Sequence, residues 1–405
     1  MTGVSRLLAA PGPALADHLD QFGAMPTATA ELIATIDAAG LSGRGGAGFP
    51  TARKMATVHG RAVVVGNGAE GEPLSRKDAT LLTQAPHLVL DGLDAAAGAI
   101  GADKVYLYVH PEAADAVTGA LDERRAAGMD AHHVTVVQAP DRFVAGEESA
   151  AISRIEGGPA LPRDRTVVAA VSGVRGLPTL VNNVETLANV ALIARFGSDW
   201  FRSVGDPADP GTMLVTLSGA LDSAVVEVPT GISLIELLQR FGGVDPSHLR
   251  SVLIGGYHGT WLSPEELAIA RLSRSALKPL GATPGAGIVH ALDNAECGLG
   301  RTAEIARYLA DQSARQCGPC LNGLPRLAEL LDQLAFGRSS DDLVREIRRM
   351  VRLVDGRGSC RHPDGTARMV RSALHTFAGD IEKHRHGGCA AGETAGTDSD
   401  SATLR

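Results

Sequence analysis

The sequence predicts a protein of the α/β class in three parts: an N-terminal α/β domain, a small α+β module and a C-terminal helical bundle. Strand-like apolar runs alternate with helix-like segments between residues 61 and 196, which indicates a largely parallel sheet covered by helices. After a Gly- and Pro-containing stretch at 205–212, short β-like runs surround one helical segment at 233–241. From residue 303 the pattern is helical, and closely spaced cysteines appear.

The composition is that of a globular protein with room for several domains. The 405 residues are 44% hydrophobic and 21% charged, without the run of about 18 apolar residues that crosses a membrane. The first residues also lack the basic and apolar segments of a secretion signal. A net charge of −8 and only 3% aromatic residues argue against nucleic-acid binding. Five cysteines, clustered late in the chain, predict metal or redox chemistry in a reducing compartment, so we expect a cytoplasmic protein.

The pattern also predicts where each part begins and ends. The predicted parts are a flexible lead-in at 1–28, the α/β domain at 29–205, the α+β module at 213–275, the helical domain at 285–384 and a disordered tail at 385–405. The tail is rich in Gly, Ala, Ser, Thr and Asp, which cannot bury enough apolar surface to fold.

Apolar periodicity predicts the elements in order. In the α/β domain we expect a helix at 29–39, a strand at 61–66, a helix at 88–100, a strand at 104–109, a helix at 112–127, a strand at 134–137, and helices near 148–155 and 186–196. In the helical domain we expect helices at 303–316, 324–334 and 341–353.

A glycine-rich loop, Gly43–Gly48, follows the first of these helices. Its glycines leave backbone N–H groups without shielding side chains, so a phosphate group can approach them. Arg44 lies inside the loop and Lys54 follows it, and either could neutralise the anion. The spacing matches the G-x-G-x-x-G fingerprint of dinucleotide-binding folds, but a helix precedes the loop where that fold has a strand.

Three further polar loops follow strands or begin helices: Asn67–Pro73, Gly146–Glu148 and Pro178–Leu187. Their Asn and Glu side chains could bind a polar heterocycle while the glycine loop binds its phosphate. Each loop alone is also typical of a turn or a helix cap. Four such loops in one domain favour a binding site.

The cysteines suggest several kinds of chemistry. Cys317 and Cys320 enclose Gly-Pro as in redox dithiols, but such a motif follows a strand, and here a helix precedes it. Binding of a metal cluster by these two thiolates and Cys360 fits better. A zinc site completed by His362 and a set of buried structural cysteines both stay open. Cys389 lies in the predicted tail and is assigned no role.

Together these motifs resemble the flavin-bearing, NADH-oxidising F subunit of respiratory complex I, and the related diaphorase subunits of hydrogenases and formate dehydrogenases. The resemblance covers about residues 43–377, with the loops, the module and the cysteines in the same order. It implies a ubiquitin-like fold of the SLBB type for the α+β module. It also implies FMN between the polar loops, NAD(H) as the substrate, and an iron–sulfur cluster in the helical domain.

The resemblance also implies roles for individual residues. Those expected to bind FMN are Gly43, Arg44, Gly45, Gly46, Gly48, Phe49, Lys54, Asn67, Glu70, Gly71, Gly146, Glu147, Val181, Asn182, Asn183 and Thr186. Glu72 and Glu148 are the expected catalytic residues, facing the nicotinamide nucleotide. Cys317, Cys320 and Cys360 are expected to bind the cluster.

The sequence departs from the family pattern at the cluster and at the flavin. Ala314 stands where the family has the first cysteine of its cluster motif. The site therefore holds a [4Fe–4S] or [3Fe–4S] cluster with Cys297, His362, an outside group or nothing as the fourth ligand, or it holds no cluster. Ala69 stands where the family has a carboxylate beside the flavin. These changes predict a divergent member of the family.

The first functional hypothesis is an electron-input subunit. It would oxidise NAD(P)H through FMN and pass single electrons through the cluster to a protein or quinone-linked acceptor, together with other iron–sulfur subunits. One alternative is a ferredoxin-linked subunit without nicotinamide activity, favoured by Ala69 and by Thr57 and Val168, which stand at positions that are aromatic in complex I. The other is a binding scaffold that has lost its cofactors. A peripheral position on a membrane complex stays open.

Overall fold

The computed structural model of the protein describes residues 5–164, 167–337, 339–389 and 391. No helix in this described part is long and apolar enough to cross a membrane. The first part of the chain is an α/β domain with one four-stranded sheet. Its elements are α1 (Leu15–Phe22), α2 (Glu31–Ala39), α3 (Thr51–Ala56), β1 (Ala62–Gly68), α4 (Lys77–Gln84), α5 (Pro86–Ile100), β2 (Ala102–Val109), α6 (Pro111–Ala127), β3 (Val134–Gln138), α7 (Glu148–Ile155), β4 (Thr179–Asn183) and α8 (Val184–Arg202).

The sheet is parallel throughout, in the order β3-β2-β1-β4, which confirms the predicted α/β class. The central strand β1 buries Val63, Val64 and Val65 completely because helices cover both faces of the sheet. Val64 belongs to a core that includes residues of α5 and α8. Val63 and Val65 point to the opposite face, where they pack with residues of α7, as the alternation of a β-strand requires.

The lead-in differs from the prediction, since its residues from Ser5 onward pack on the protein. Leu7 is fully buried. The Arg6 guanidinium donates to the Phe201 carbonyl at 3.1 Å. The Glu227 carboxylate accepts hydrogen bonds from the backbone N–H groups of residues 6, 7 and 8 at 2.8, 2.9 and 3.2 Å. The predicted flexible lead-in at 1–28 is therefore wrong for residues 6–8, whose backbone donors a distant carboxylate satisfies, and for residues 15–22, which form α1.

The second part is the α+β module, whose mixed sheet has the order β10-β9-β11-β7-β8. Its elements are β5 (Gly205–Asp206), β6 (Asp209–Pro210), β7 (Thr212–Gly219), β8 (Ala224–Pro229), α9 (Leu234–Phe241), β9 (Leu249–Ile254), β10 (Thr260–Leu262), α10 (Pro264–Ile269), α11 (Arg274–Leu277) and β11 (Ile288–Asp293). Strand β11 lies between β9 and β7, so the module extends beyond the predicted end at residue 275. The predicted start of the helical domain at 285 is likewise too early. Strand β11 comes after two short helices, and nothing in its own sequence shows that it pairs with β7 and β9.

The third part is helical, as predicted. Its elements are α12 (Gly298–Asp311), α13 (Leu324–Phe336), α14 (Asp341–Val354), α15 (His362–Thr376) and α16 (Ala378–Arg385). The first three correspond to the predicted helices, and α15 and α16 extend the bundle. Residues 386–389 follow α16, while most of the predicted tail lies outside the described residues.

Candidate active site

Two asparagines mark the carboxyl edge of the parallel sheet. Strands β2 and β3 extend from one side of β1, and β4 returns to the other side. Such a switch point leaves a crevice beyond the carboxyl ends of the two strands, where ligands bind in open α/β sheets. Asn67 at the end of β1 lies opposite Asn183 at the end of β4. The Asn183 side chain donates from Nδ2 to the Asn67 carbonyl at 3.2 Å, which holds the two strand ends together.

A cavity of about 590 Å³ lies at this edge, a size suited to a cofactor. Predicted residues that line it are Gly45, Gly46, Asn67, Glu70, Gly71, Glu72, Gly146, Glu147, Asn183 and Cys360. The α+β module adds His258, and the helical domain adds His362. Predicted residues that lie outside its lining are Gly43, Arg44, Gly48, Phe49, Lys54, Glu148, Val181, Asn182, Thr186, Cys317 and Cys320. The cavity therefore lies where the three parts of the chain meet.

The glycine loop turns back on itself before α3. The Gly43 N–H donates to the Phe49 carbonyl at 3.0 Å, which closes the loop. Gly46 and Gly48 have φ angles of 103° and 64°, in the left-handed region that favours glycine. A Cβ on Gly48 would also lie 2.1 Å from the guanidinium carbon of Arg274. Both the conformation and the close approach therefore require glycine here.

Arg274, at the start of α11, binds the loop from the side of the module. Its Nη1 donates to the Gly46 carbonyl and its Nη2 to the Gly43 carbonyl, each at 3.2 Å. In a trans peptide the next N–H points away from the carbonyl, so the Ala47 N–H points away from Arg274. Gly45, Gly46 and Ala47 line the cavity. Sequence reasoning missed Arg274, because nothing local to α11 connects it to a loop more than two hundred residues earlier.

Arg44 has a role different from a free anion ligand. Its Nη1 lies 3.4 Å from Asp209 Oδ1, and its Nη2 donates to the Pro210 carbonyl at 3.0 Å. Its backbone N–H donates to Thr186 Oγ at 2.8 Å. The buried guanidinium thus joins the glycine loop to β6, and the Thr186 hydroxyl joins the loop to α8.

Lys54 and Glu148 form an ion pair beside the cavity. The Lys54 Nζ lies 2.7 Å from Glu148 Oε1 and donates to the Val181 carbonyl at 2.6 Å. The side chains are 26% and 38% exposed, so the pair is open to solvent. Phe49 is exposed as well, with the Arg53 guanidinium 5.7 Å above its ring.

Two glycines allow the second and third polar loops to touch. A Cβ on Gly71 would lie 1.9 Å from the Phe143 carbonyl oxygen, and a Cβ on Gly146 would lie 2.5 Å from the Ala69 carbonyl oxygen. Asn67 joins the same loops by donating from Nδ2 to the Gly146 carbonyl at 2.9 Å. The loops form one continuous wall of the cavity.

The capping residues of two helices also lie on this wall. Glu147 caps α7, since its carboxylate accepts from the N–H groups of Ser149 and Ala150 at 2.8 and 3.2 Å. Asn183 caps α8 by accepting from the Glu185 N–H at 3.0 Å. The cap interpretation of these loops is therefore right for both residues, and it coexists with their place on the cavity.

Two carboxyl groups on the wall bind protons more tightly than ordinary glutamates. Burial, together with the Asp78 carboxylate, raises the pKa of Glu70 to about 7. Burial raises the pKa of Glu72 to about 8, against the hydrogen bond that the Tyr257 N–H donates to Glu72 Oε2 at 2.8 Å. Glu72 Oε1 is buried and has no hydrogen-bond partner among the described residues. At neutral pH Glu72 is therefore mainly the uncharged acid.

A buried lysine on the cavity wall was missed by sequence reasoning. Lys77 Nζ lies 2.6 Å from Asp78 Oδ1, 2.9 Å from Glu185 Oε2 and 3.4 Å from Asn183 Oδ1. Burial lowers the pKa of Lys77, but the Asp78 and Glu185 charges outweigh it and leave the pKa raised. The ammonium is thus permanently charged and joins α4 to the first turn of α8. The Arg-Lys-Asp run at 76–78 lies just after the Asn67–Pro73 loop, outside the four polar loops that the sequence singled out.

The three predicted cluster cysteines gather at the turn that connects α12 to α13. Cys320 lies in a short π-helical turn, Pro319–Gly323, of the kind often found at functional sites. Burial and the neighbouring Cys317 and Cys360 thiols raise the pKa of Cys320 to about 12. The backbone N–H of Arg315 acts against this rise and lowers the pKa of Cys320. The three thiols are close enough to interact, and Cys320 and Cys360 are buried while Cys317 is half-buried, which suits shared metal ligation.

Neither side chain that the sequence suggested as a fourth cluster ligand fits this site. Cys297 caps the start of α12, whose 14 residues span about 21 Å. The hairpin is antiparallel, because the Phe336 ring at the end of α13 would touch a Cβ on Gly300 at 3.6 Å. Cys297 and Cys320 therefore lie at opposite ends of the hairpin. Both ring nitrogens of His362 are already paired, Nε2 with the Leu309 carbonyl at 2.7 Å and Nδ1 with His258 Nε2 at 3.1 Å.

His258 brings the module into contact with the cluster region. A Cβ on Gly365 of α15 would lie 2.3 Å from the His258 ring, so the glycine admits the ring. Phe143 packs edge-on against His258 and His362, with ring centroids 4.7 and 5.4 Å apart. Burial lowers the pKa of both histidines, which therefore stay neutral. Three uncharged rings thus line the cavity together with the two glutamates and Cys360.

Two family models match the chain. The Nuo51 FMN-binding domain matches residues 36–192, and the iron-sulfur binding region of NADH-ubiquinone oxidoreductase-F matches residues 295–384. The first covers the sheet edge and its four loops. The second covers the three cluster cysteines.

Curated relatives match over nearly the whole chain. The NADH-quinone oxidoreductase F subunit of Streptomyces coelicolor is 31% identical over 384 residues, which are 90% of this chain and 86% of the relative. The HndC subunit of the NADP-reducing hydrogenase of Solidesulfovibrio fructosivorans is 29% identical over 374 residues, 88% of this chain and 76% of the relative.

Solved structures of a NAD⁺-reducing NiFe hydrogenase have the same fold. A chain of its air-oxidised form matches with a TM-score of 0.81 and 29% identity, covering 97% of this chain and 69% of that one. A chain of its H₂-reduced form matches with a TM-score of 0.78 and 30% identity, covering 87% of this chain and 62% of that one. This chain thus spans less than two thirds of the second.

Proposed function

The chain belongs to the family of NADH-quinone oxidoreductase F subunits, and on that basis we propose that it is an electron-input subunit of a larger enzyme. It would take electron pairs from NADH or NADPH and deliver single electrons to an iron–sulfur partner subunit. The observation that carries the proposal is the cavity, which brings Asn67, Glu70 and Asn183 together with Cys360. Electron entry and electron exit would thus be adjacent.

The residues of the cavity fit FMN. Glu72 Oε1, on the cavity wall, is buried without a partner in the described part of the chain, which is costly unless a bound group completes its hydrogen bonds. A Cβ on Gly45 would lie 3.1 Å from the Asn183 Cβ, so glycine leaves room beside the strand end. Both observations support a polar ring system at the strand ends, with its phosphate on the glycine loop.

The glycine loop would hold the phosphate through its backbone. Bound FMN would supply an acceptor for a hydride and a source of single electrons. Arg274 binds the carbonyl groups of the glycine loop, which leaves the backbone N–H groups of the loop to bind the phosphate. Lys77 would fix α4 against α8, and Arg44 would fix the glycine loop against β6. Both side chains form ion pairs with carboxylates, so neither adds an unpaired charge to the site.

Glu72 and Glu148 would act on the nicotinamide nucleotide in different ways. Glu72 is mainly uncharged at neutral pH, so it can donate a hydrogen bond from its carboxyl group without repelling the phosphates of the nucleotide. Glu148 is held by Lys54 at 2.7 Å, which offsets its negative charge. Both arrangements favour an anionic substrate beside carboxylate side chains.

The helical domain fits an iron–sulfur cluster bound through three thiolates. Cys317, Cys320 and Cys360 would be its ligands, and the Arg315 N–H would donate to the Cys320 sulfur. Since Cys297 and His362 are engaged elsewhere, the chain would leave the fourth iron position of a cubane without a ligand from either. Cys360 on the cavity wall would be the thiolate nearest to the flavin side.

The test is anaerobic purification of the full chain with riboflavin and iron supplied. We expect about one flavin and about three irons per chain, and NADH- or NADPH-dependent reduction of ferricyanide. A Cys320→Ser variant should lose the iron but keep the flavin and the ferricyanide activity. Bound flavin without turnover of either nucleotide would overturn the nucleotide half of the proposal. Protein without flavin would overturn the whole.

The two other hypotheses are less well supported. Both family models cover cofactor-binding regions, which disfavours a scaffold without cofactors. Thr57 and Val168 remain the arguments for a ferredoxin-linked subunit, and reduction by ferredoxin but by neither nucleotide would favour it.

We propose that other iron–sulfur subunits accept the electrons, since the relatives are named as subunits. We also propose a cytoplasmic location, because the five cysteines form no disulfide with one another in the described part of the chain.

A further inference from the structure

Three side chains that commonly bind metals meet at the end of the helical hairpin opposite the cluster cysteines. They are Cys297 before α12, His384 in the last turn of α16, and Cys389 after α16. One ligand atom from each lies within 4.8 Å of the other two. The Cys297 sulfur lies 3.6 Å from His384 Nε2.

These separations match a tetrahedral zinc site. With Zn–S bonds near 2.3 Å and Zn–N bonds near 2.05 Å, tetrahedral angles place sulfur and nitrogen about 3.6 Å apart and two sulfurs about 3.8 Å apart. The ligand atoms therefore need no large movement to surround an ion. Two thiolates and an imidazole bind zinc in preference to the harder Mg²⁺ and Ca²⁺ ions, which favour oxygen ligands.

The histidine is already oriented as a ligand. His384 Nδ1 lies 3.3 Å from the Leu334 carbonyl oxygen, which can only accept, so Nδ1 carries the hydrogen. The lone pair is then on Nε2, the nitrogen that faces Cys297. Metal-binding histidines usually have such an outer hydrogen bond, which fixes the ring and its tautomer. His384 as a whole is 8% exposed, so the orientation is also fixed by packing.

The Cys297 sulfur lies at a helix N-terminus, whose N–H groups favour its thiolate against the burial that raises the pKa of the thiol. It caps the 14-residue helix α12 and accepts a hydrogen bond from the Gly300 N–H at 3.4 Å. A helix N-terminus favours negative charge, and zinc binds the thiolate form of cysteine. The same contact keeps Cys297 away from the iron–sulfur site, about 21 Å along the helix.

We propose that Cys297, His384 and Cys389 bind a zinc ion, with water as the fourth ligand. The ion joins the first turn of α12 to the chain after α16, and so fastens the end of the helical domain to its beginning. This role is structural and separate from electron transfer.

Metal analysis of the full chain, purified with its flavin and iron, tests the proposal. We expect about one zinc per chain that remains after dialysis against a weak chelator. In Cys297→Ser and Cys389→Ser variants, zinc should fall at least roughly tenfold while flavin and iron stay unchanged. The matched control, Cys320→Ser, should lose iron and keep zinc.

Cobalt substitution gives an answer that does not depend on a variant folding. Co²⁺ added to the zinc-depleted, iron-loaded wild-type protein should give sulfur-to-cobalt charge-transfer absorption that zinc abolishes. Zinc-free protein after growth with excess zinc, unchanged zinc in both serine variants, or no cobalt–sulfur absorption would each overturn the proposal. A Cys297–Cys389 disulfide in anaerobically purified, zinc-free protein would overturn it as well.

Discussion

Glu72 connects the α/β domain to the α+β module through one carboxyl group. Its Oε2 accepts from the Tyr257 N–H, while its Oε1 is buried with no partner in the part of the chain that the structure describes. The sequence identified Glu72 as a residue of the site through the Asn67–Pro73 loop. It could not predict the raised pKa, because the burial that raises it comes from the module, more than a hundred residues away.

The Glu72→Gln variant should change how stability depends on pH. The pKa of Glu72 is about 8 in the folded protein and near 4.5 in an unfolded chain. Between these values the folded state keeps a proton that the unfolded state has lost, so stability falls as pH rises towards 8. Glutamine cannot ionise. We therefore compare the two proteins without flavin. Between pH 5 and 8 the melting temperature of the variant should fall less than that of the wild type.

Glu236→Gln is the matched control for this measurement. Glu236 lies on the surface of α9 with its side chain 53% exposed, so its replacement should leave the wild-type pH dependence unchanged. Glu70, with a pKa of about 7, should preserve part of the slope in the Glu72 variant. If the melting temperatures of the wild type and Glu72→Gln depended on pH in the same way, Glu72 would be ionised in the folded protein at neutral pH.

At the scale of elements, the loops of the cavity depend on backbone contacts that only glycine permits. Glycine-rich loops could be predicted because glycine itself is the local signal of left-handed or crowded backbone. The residues that contact these loops could not be predicted, because they lie far away in the sequence. The clamp on the glycine loop comes from Arg274 in α11, and the wall around Gly71 includes the Phe143 carbonyl.

A Gly71→Ala variant should separate the second and third polar loops. The new Cβ would lie 1.9 Å from the Phe143 carbonyl oxygen, and neither backbone segment can move as a side chain would. Overpacking of this kind costs about 1–3 kcal/mol. We expect a lower melting temperature and at least roughly tenfold weaker FMN binding, measured by fluorescence titration of the flavin-free protein. Gly119→Ala in α6 meets open space and should leave FMN binding unchanged.

The Arg274→Ala variant should loosen the glycine loop without touching the flavin. Two hydrogen bonds from a guanidinium to loop carbonyls are lost, each worth about 1.5–3 kcal/mol. Because the loop must then be ordered on binding, FMN affinity should fall roughly tenfold or more. Arg271→Ala, at an exposed position on the same segment, is the control. Equal FMN affinity in both variants would show that the loop is rigid without Arg274.

At the scale of the whole molecule, the sequence predicted the three parts and their order but not the surface where they meet. Strand and helix periodicity is local, so the α/β class, the module and the bundle could be recognised. The cavity forms between Asn183, His258 and Cys360, whose proximity no local pattern contains. The same limit explains why β11 was assigned to the wrong part, and why the partners of Cys297 went unnoticed.

Ala314→Cys should alter the electron exit and leave the electron entry unchanged. The Arg315 backbone N–H lowers the pKa of the Cys320 thiol, so the peptide after Ala314 lies near the cluster thiols. A thiolate at position 314 would complete four cysteine ligands, the usual set for a [4Fe–4S] cluster. We expect iron to rise from about three to about four per chain. The electron paramagnetic resonance of a three-iron cluster should disappear from the oxidised protein, and a new signal should appear on reduction.

The ferricyanide activity tells entry from exit in this variant. Ala314 lies outside the cavity lining, so the rate with NADH or NADPH and ferricyanide should equal that of the wild type. Gln316→Cys adds a thiol at an exposed position two residues away and should change neither iron content nor spectrum. Four irons in the wild type would mean that a group outside the three thiolates already completes the cluster. In that case Ala314→Cys would change only the identity of one cluster ligand. The proposed electron path from the cavity through Cys360 would then be the same in the wild type and in the variant.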